Sequence, residues 1–219
     1  MGFLDLFKPK LPVTGVARSF ADMILGLPAH DLEDLLSVFA KSSLPTPSPQ
    51  QTFRAFTILI GIYYDLVDRA FAELLTAARH KTLFQQCTSM ADAALEELVP
   101  QGVGDMVAFK PYIGDSADTL LLVLEQDVAK MPLRSQLGFA LQLAVHDHRG
   151  IFELYSFAKG PSVAGFLPFE AGQAVVEALG YGNNSVAGFE VALRISVAFK
   201  VIRTFARRDL PRIRWAPHQ

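Results

Sequence analysis

Phe139-Ala140-Leu141-Gln142-Leu143-Ala144-Val145-His146-Asp147-His148-Arg149-Gly150-Ile151-Phe152-Glu153-Leu154-Tyr155-Ser156-Phe157 is the stretch on which the fold turns. Asp147-His148-Arg149-Gly150 makes a four-residue turn candidate in its middle. Pairing His146 with Ile151 puts Phe139, Leu141, Leu143 and Val145 on one face with Phe152, Leu154 and Ser156. Gln142, Ala144, His146, Glu153 and Tyr155 then lie opposite. Both flanks agree on one inner face, as in an antiparallel hairpin with strands near 139–146 and 151–157. A helix competes for the same residues, because Leu133, Leu137, Leu141 and Val145 recur every four positions. The hairpin is the expectation carried forward, with an all-α multi-helix bundle as its alternative.

Upstream, Met106, Val107, Phe109, Tyr112 and Ile113 would form a long apolar loop if they were not in an element. A strand near 106–112 accounts for them, with Pro111 confining it to an edge or an end. Gly114-Asp115-Ser116 then turns the chain into Leu120-Leu121-Leu122-Val123-Leu124, a second strand near 119–125.

Around this sheet the periodicity is helical. Thr14 to Gly26 and Asp31 to Ser42 read as two helices separated by Gly26-Leu27-Pro28. Leu44-Pro45-Thr46-Pro47-Ser48-Pro49 is a stiff connector at 44–49, and its end starts a helix: Ser48 caps, Pro49 fits the first turn and Gln51 completes a capping box. That helix runs to about Arg79, with Phe53, Phe56, Ile60, Tyr63, Val67, Phe71 and Leu74 at steps of three and four, so it belongs in the core. Thr82 to Val99 is another helix, stopped by Pro100. Ser162 to Leu179, closed by Gly180, and Ser185 to about Arg208, ended by Pro211, complete the set. Ser-Val-Ala-Gly-Phe occurs at 162–166 and again at 185–189, where a shared helix start and a small Gly for close packing suffice as explanation. The expected fold is α+β and helix-dominated: about six helices flanking a small antiparallel sheet, in one domain spanning 1–219.

Composition narrows the function classes. The chain has 219 residues, 51% of them hydrophobic and 19% charged, with 17 phenylalanines and a mean hydropathy of +0.27. So few charges point either to apolar surface that a partner, a subunit or an apolar ligand covers, or simply to a well-filled core. The longest apolar run, Ala55 to Tyr64, is bracketed by Arg54 and Asp65 and is far short of the roughly 18 residues of a membrane span. Met1 to Lys8 lacks the pattern of a secretory signal and reads as a short amphipathic foot through Phe3, Leu4 and Phe7. A single cysteine, Cys87, has no intramolecular disulfide partner, so a reducing, cytoplasmic setting is expected. It sits in a helix as a small core residue.

The charge is unevenly placed. From Arg194 to Gln219 there are seven Lys/Arg and one acid, Asp209, so this end carries about +6 and the remainder about −8. Lys200, Arg203 and Arg207 line one helix face, with Phe199, Ile202 and Phe205 turned into apolar contact. Cations in a last helical turn also suit the macrodipole, but that does not explain Arg212 and Arg214 beyond Pro211, nor Trp215 beside them. Trp with Arg in a short tail is the composition of an interface anchor. Lys200, Arg203, Arg207, Arg208, Arg212, Arg214 and Trp215 are therefore the expected partner-binding residues, with the basic tail at 207–219 docking on an acidic protein surface or on a second subunit. Deleting the tail is expected to leave the fold intact. The net charge of −2 and the lack of a recognisable module argue against nucleic acid, whereas Phe3, Phe7 and the tail together also suit an anionic membrane surface.

His146-Asp147-His148 is the one dense group of ligand-type side chains. On a strand, His146 and His148 share a face and Glu153 lies diagonal to His146, which would give a two-His, one-carboxylate metal site; a solvent-facing turn explains the same residues. Read on a helix, His146-Asp147 resembles the central pair of the HD-type metal phosphohydrolases, an all-helical family that adds an upstream His and a downstream Asp. His80 is the only nearby upstream His, and Asp209 is the only later Asp. Gly114-Asp115-Ser116 resembles the nucleophile block of GDSL-type hydrolases. No Asp stands three residues before any His of this chain, so the serine lacks its base and a turn is the better account. The leading expectation is a non-enzymatic interaction or assembly protein that uses apolar helix surface and the basic tail, with no cofactor. The alternatives are a metal-dependent hydrolase at His146, Asp147 and His148, and a carrier of an apolar ligand.

Overall fold

The computed structural model describes residues 9–114, 130–149 and 169–215. Among them are seven α-helices and a two-stranded parallel sheet. The helices are α1 (Val13–Lys41), α2 (Pro49–Ala72), α3 (Ala77–Leu98), α4 (Met106–Ile113), α5 (Leu133–Asp147), α6 (Phe169–Ala178) and α7 (Ser185–Asp209). A 3-10 turn, Leu210–Arg212, leads from α7 into β2 (Ile213–Arg214), which pairs with β1 (Leu11–Pro12).

The expected capping box forms: the Gln51 amide donates to Ser48 Oγ at 3.2 Å, and the Ser48 amide donates to Gln51 Oε1 at 2.8 Å. The helix it starts is buried on every side from Thr57 to Val67. It packs against each of the other six helices. It ends at Ala72, earlier than its periodicity suggests, because the core stops there: Leu74 is 39% exposed.

Pro28 does not divide α1. The prolyl ring removes one main-chain hydrogen bond, which costs about 3 kcal/mol in an isolated helix. Ile24, Leu32, Leu35 and Phe39 are buried on either side of it, and that packing carries the helix through.

The sheet expected from the sequence is corrected in three respects. It is parallel, not antiparallel, and it joins the two ends of the described chain, Leu11 opposite Ile213 and Pro12 opposite Arg214. Residues 106–112 lie in α4, where Asp105 Oδ1 caps the Ala108 amide at 2.7 Å and the buried pair Phe109 and Ile113 has helical spacing. Residues 139–146 lie in α5, so the helical competitor wins. A hairpin would have put Ala140 and Ala144 on the outer face, but both are fully buried and let α5 approach its neighbours closely. Gly138 meets Glu96 of α3 in the same way, and Gly61 of α2 meets the Val145 carbonyl. The strands expected near 119–125 and 151–157 lie outside the described residues.

Two helix ends follow the sequence. Gly180 adopts φ +82° and closes α6, with the Tyr181 amide donating to the Val176 carbonyl. Asn184 Oδ1 caps α7 by accepting from the Ala187 amide at 3.1 Å. Among the described residues no helix is long and apolar enough to cross a membrane.

Candidate functional site

Helix α7 has two apolar faces. Its inner face is mostly small, with Ala187, Gly188, Val191, Ala192, Ile195, Ala198, Ile202 and Ala206 buried. A second set of apolar side chains faces outward: Val186 is 76% exposed, Phe189 49%, Leu193 44%, Val197 55% and Val201 38%. They recur at steps of three, four, four and four, so they form one stripe, spanning about 22 Å at the helical rise. Phe199 and Phe205 pack at the core margin and Ile202 is fully buried, as their spacing suggested.

One edge of the stripe borders a groove of about 320 Å³. Leu27 and Asp31 of α1 form one wall, Leu193, Val197 and Val201 of α7 the other, and Tyr63 of α2 lies between them. Two polar pairs sit here. The Tyr63 hydroxyl donates to Asp31 Oδ2, and Arg194 Nη1 meets Asp34 Oδ2 at 2.7 Å. Burial pushes the Asp31 carboxyl above its ordinary range, opposed by the Tyr63 hydrogen bond and the Arg194 charge. Burial and the Asp31 carboxylate together push the Tyr63 hydroxyl far up, so it stays a donor.

The cationic end is largely tied to its own chain. Arg203 Nε lies 2.6 Å from Glu73 Oε2. Asp209 takes both Arg208, at 2.7 Å, and Arg212, at 3.3 Å. Arg212 also donates to the Pro9 carbonyl at 3.4 Å, the Arg79 guanidinium lies 5.2 Å from the Trp215 ring centroid, and Trp215 packs on the core margin. Arg212 therefore helps to hold the C-terminal segment to the N-terminal one, and Trp215 holds it to α3. Lys200, Arg207 and Arg214 are exposed, and among the described residues none has a carboxylate at ion-pair distance.

His146 and His148 turn to different neighbours. Asp92 Oδ1 of α3 accepts from the Tyr64 hydroxyl at 2.5 Å and lies 3.0 Å from His146 Nε2; His146 Nδ1 lies 3.3 Å from Arg149 Nη1. Arg149 also reaches Asp65 at 3.5 Å and covers the Tyr64 and Phe84 rings. His148 packs its Cβ against Gly61, and burial holds its ring pKa below the ordinary value. Asp147 is exposed at the end of α5, and Glu153 lies outside the described residues. Among the described residues no group of three His, Cys, Asp or Glu side chains is placed to hold a metal ion. Cys87 is buried, and its thiol is pushed up to about 12, chiefly by that burial.

Sequence reasoning missed Tyr64 and Asp92 because Asp92 stands 28 residues from Tyr64 and 54 from His146, and no local pattern links the three. The outer stripe is hidden in the sequence because α7 carries apolar residues on both faces and cations among them. Comparison of the chain with family models, with curated proteins and with solved structures finds no match in any of the three.

Proposed function

We propose that the chain is a non-enzymatic interaction protein that docks a protein surface through the outer face of α7, with Lys200 and Arg207 as its cationic rim. The observation that carries this reading is the exposed stripe from Val186 to Val201 on a helix whose opposite face is already buried. Contiguous apolar surface of this kind on a folded chain marks a contact site. The role moves from the tail beyond Pro211, much of which is engaged within the chain, to the helix before it. A reducing, cytoplasmic setting suits the single buried thiol of Cys87.

A photo-crosslinking side chain at Val197 tests the reading in cells, with Val107, 82% exposed on α4, as the control position. A discrete protein adduct at Val197 that disappears in Leu193→Asp is expected. No adduct, or the same adducts from Val107, would overturn the reading. The groove supports a second reading, carriage of a small apolar ligand, because its volume is at the low end of ligand pockets, about 300 Å³, and Leu27, Leu193, Val197, Ala198 and Val201 line it beside the polar groups of Asp31, Tyr63, Glu190 and Arg194. Native mass spectrometry of the purified chain should then find a co-purifying small molecule, and a bare polypeptide mass would refute it.

A further inference from the structure

We infer that the occupant of the α7 outer face is a second copy of this chain, lying antiparallel across it about a two-fold axis near Leu193; the inference rests on the docking role proposed above. The stripe is nearly its own mirror image. Phe189 and Val197 stand four residues before and after Leu193, and Val186 and Val201 stand seven before and eight after it. An antiparallel copy therefore sets Leu193 on Leu193, Phe189 on Val197 and Val186 within one residue of Val201, so that the apolar side chains of the two stripes meet along their length. A parallel copy would pair each residue with itself and would gain nothing from that symmetry.

Charge on the flanks favours the same orientation. Beside the first half of α7 lies α6, packed so closely that a Cβ at Gly172 would come within 2.4 Å of the Gly188 carbonyl oxygen, and α6 carries the exposed carboxylates Glu170 and Glu177. The second half carries exposed Lys200 and Arg207. Reversing one copy brings the cations of each over the carboxylates of the other, twice by symmetry, whereas a parallel copy would set like charges together. A face that complements itself only when reversed is the mark of an isologous dimer.

Light scattering and cysteine crosslinking of the full chain test this. The wild type should run as a dimer, and Lys200→Glu with Arg207→Glu should weaken the dimer by about tenfold or more. Under oxidation Leu193→Cys should crosslink to itself, whereas Val186→Cys should crosslink when mixed with Val201→Cys and not alone. Thermal melts confirm that each variant is folded. A monomeric wild type, or self-crosslinking of Val186→Cys, would overturn the inference. If the chain is monomeric yet Val197 crosslinks in cells to a protein of another mass, the docking role stands and the second copy is wrong. If Val197 crosslinks to nothing, both fail.

Discussion

Asp92 serves two partners at once, Tyr64 from α2 and His146 from α5, so the α2–α3–α5 junction depends on one carboxylate. Asp92→Ala leaves both donors without that acceptor in a partly buried place and should cost about 2 kcal/mol, read from urea unfolding. His146→Ala leaves the Tyr64 hydrogen bond in place and should cost less. Equal losses would show that the two donors do not share the acceptor in this way. Asp31 gives a pH dependence. A carboxyl raised by burial binds its proton more tightly in the folded chain than in the unfolded one. Its contribution to stability is therefore fully present below the ordinary value of 3.8 and is lost as pH rises through the folded value. Asp31→Asn keeps an acceptor for Tyr63 and cannot ionise, so it should gain on the wild type as pH rises above the ordinary carboxyl value of 3.8. Parallel stability profiles for the two proteins would contradict this.

At the scale of elements, glycine sets the closest approaches. A Cβ at Gly172 would stand 2.4 Å from the Gly188 oxygen and 2.9 Å from the Ala192 nitrogen, both main-chain atoms that cannot step aside. Gly172→Ala should force α6 and α7 apart and cost about 1–3 kcal/mol, measured as a lower midpoint of thermal unfolding. Gly26→Ala is the control, because nothing lies within 4 Å of a Cβ there. These elements were unequally legible in the sequence. Ser48, Pro49 and Gln51 announced α2 because capping is local chemistry. The helix/strand contest at 139–146 was decided by what Ala140 and Ala144 pack against, and a small apolar residue carries no preference strong enough to reveal that in advance. Asp105 is a cap residue by type, but the apolar run that follows it, with Pro111 inside, has the composition of an edge strand as much as of a helix. On α7 the spacing of Val186, Phe189, Leu193, Val197 and Val201 was also plain. Which of its two apolar stripes faced inward depended on the small residues that let α6 come close.

For the whole molecule, the tail is a fastening. Leu210 and Ile213 are buried, Trp215 packs on the core margin, and β2 pairs with β1 across some two hundred residues of chain. Ile213→Ala should cost about 2–4 kcal/mol, and deletion of 210–219 should lower the melting temperature, contrary to what a free docking arm would do. An unchanged melting temperature on deletion would refute the fastening. The direction of this pairing has a mechanical consequence. When opposite ends of two parallel strands are drawn apart, the load runs along the strands, and their cross-links must slide and give way together instead of parting one after another. Tension applied through the two ends of this polypeptide would therefore meet a shear lock before it reached any helix.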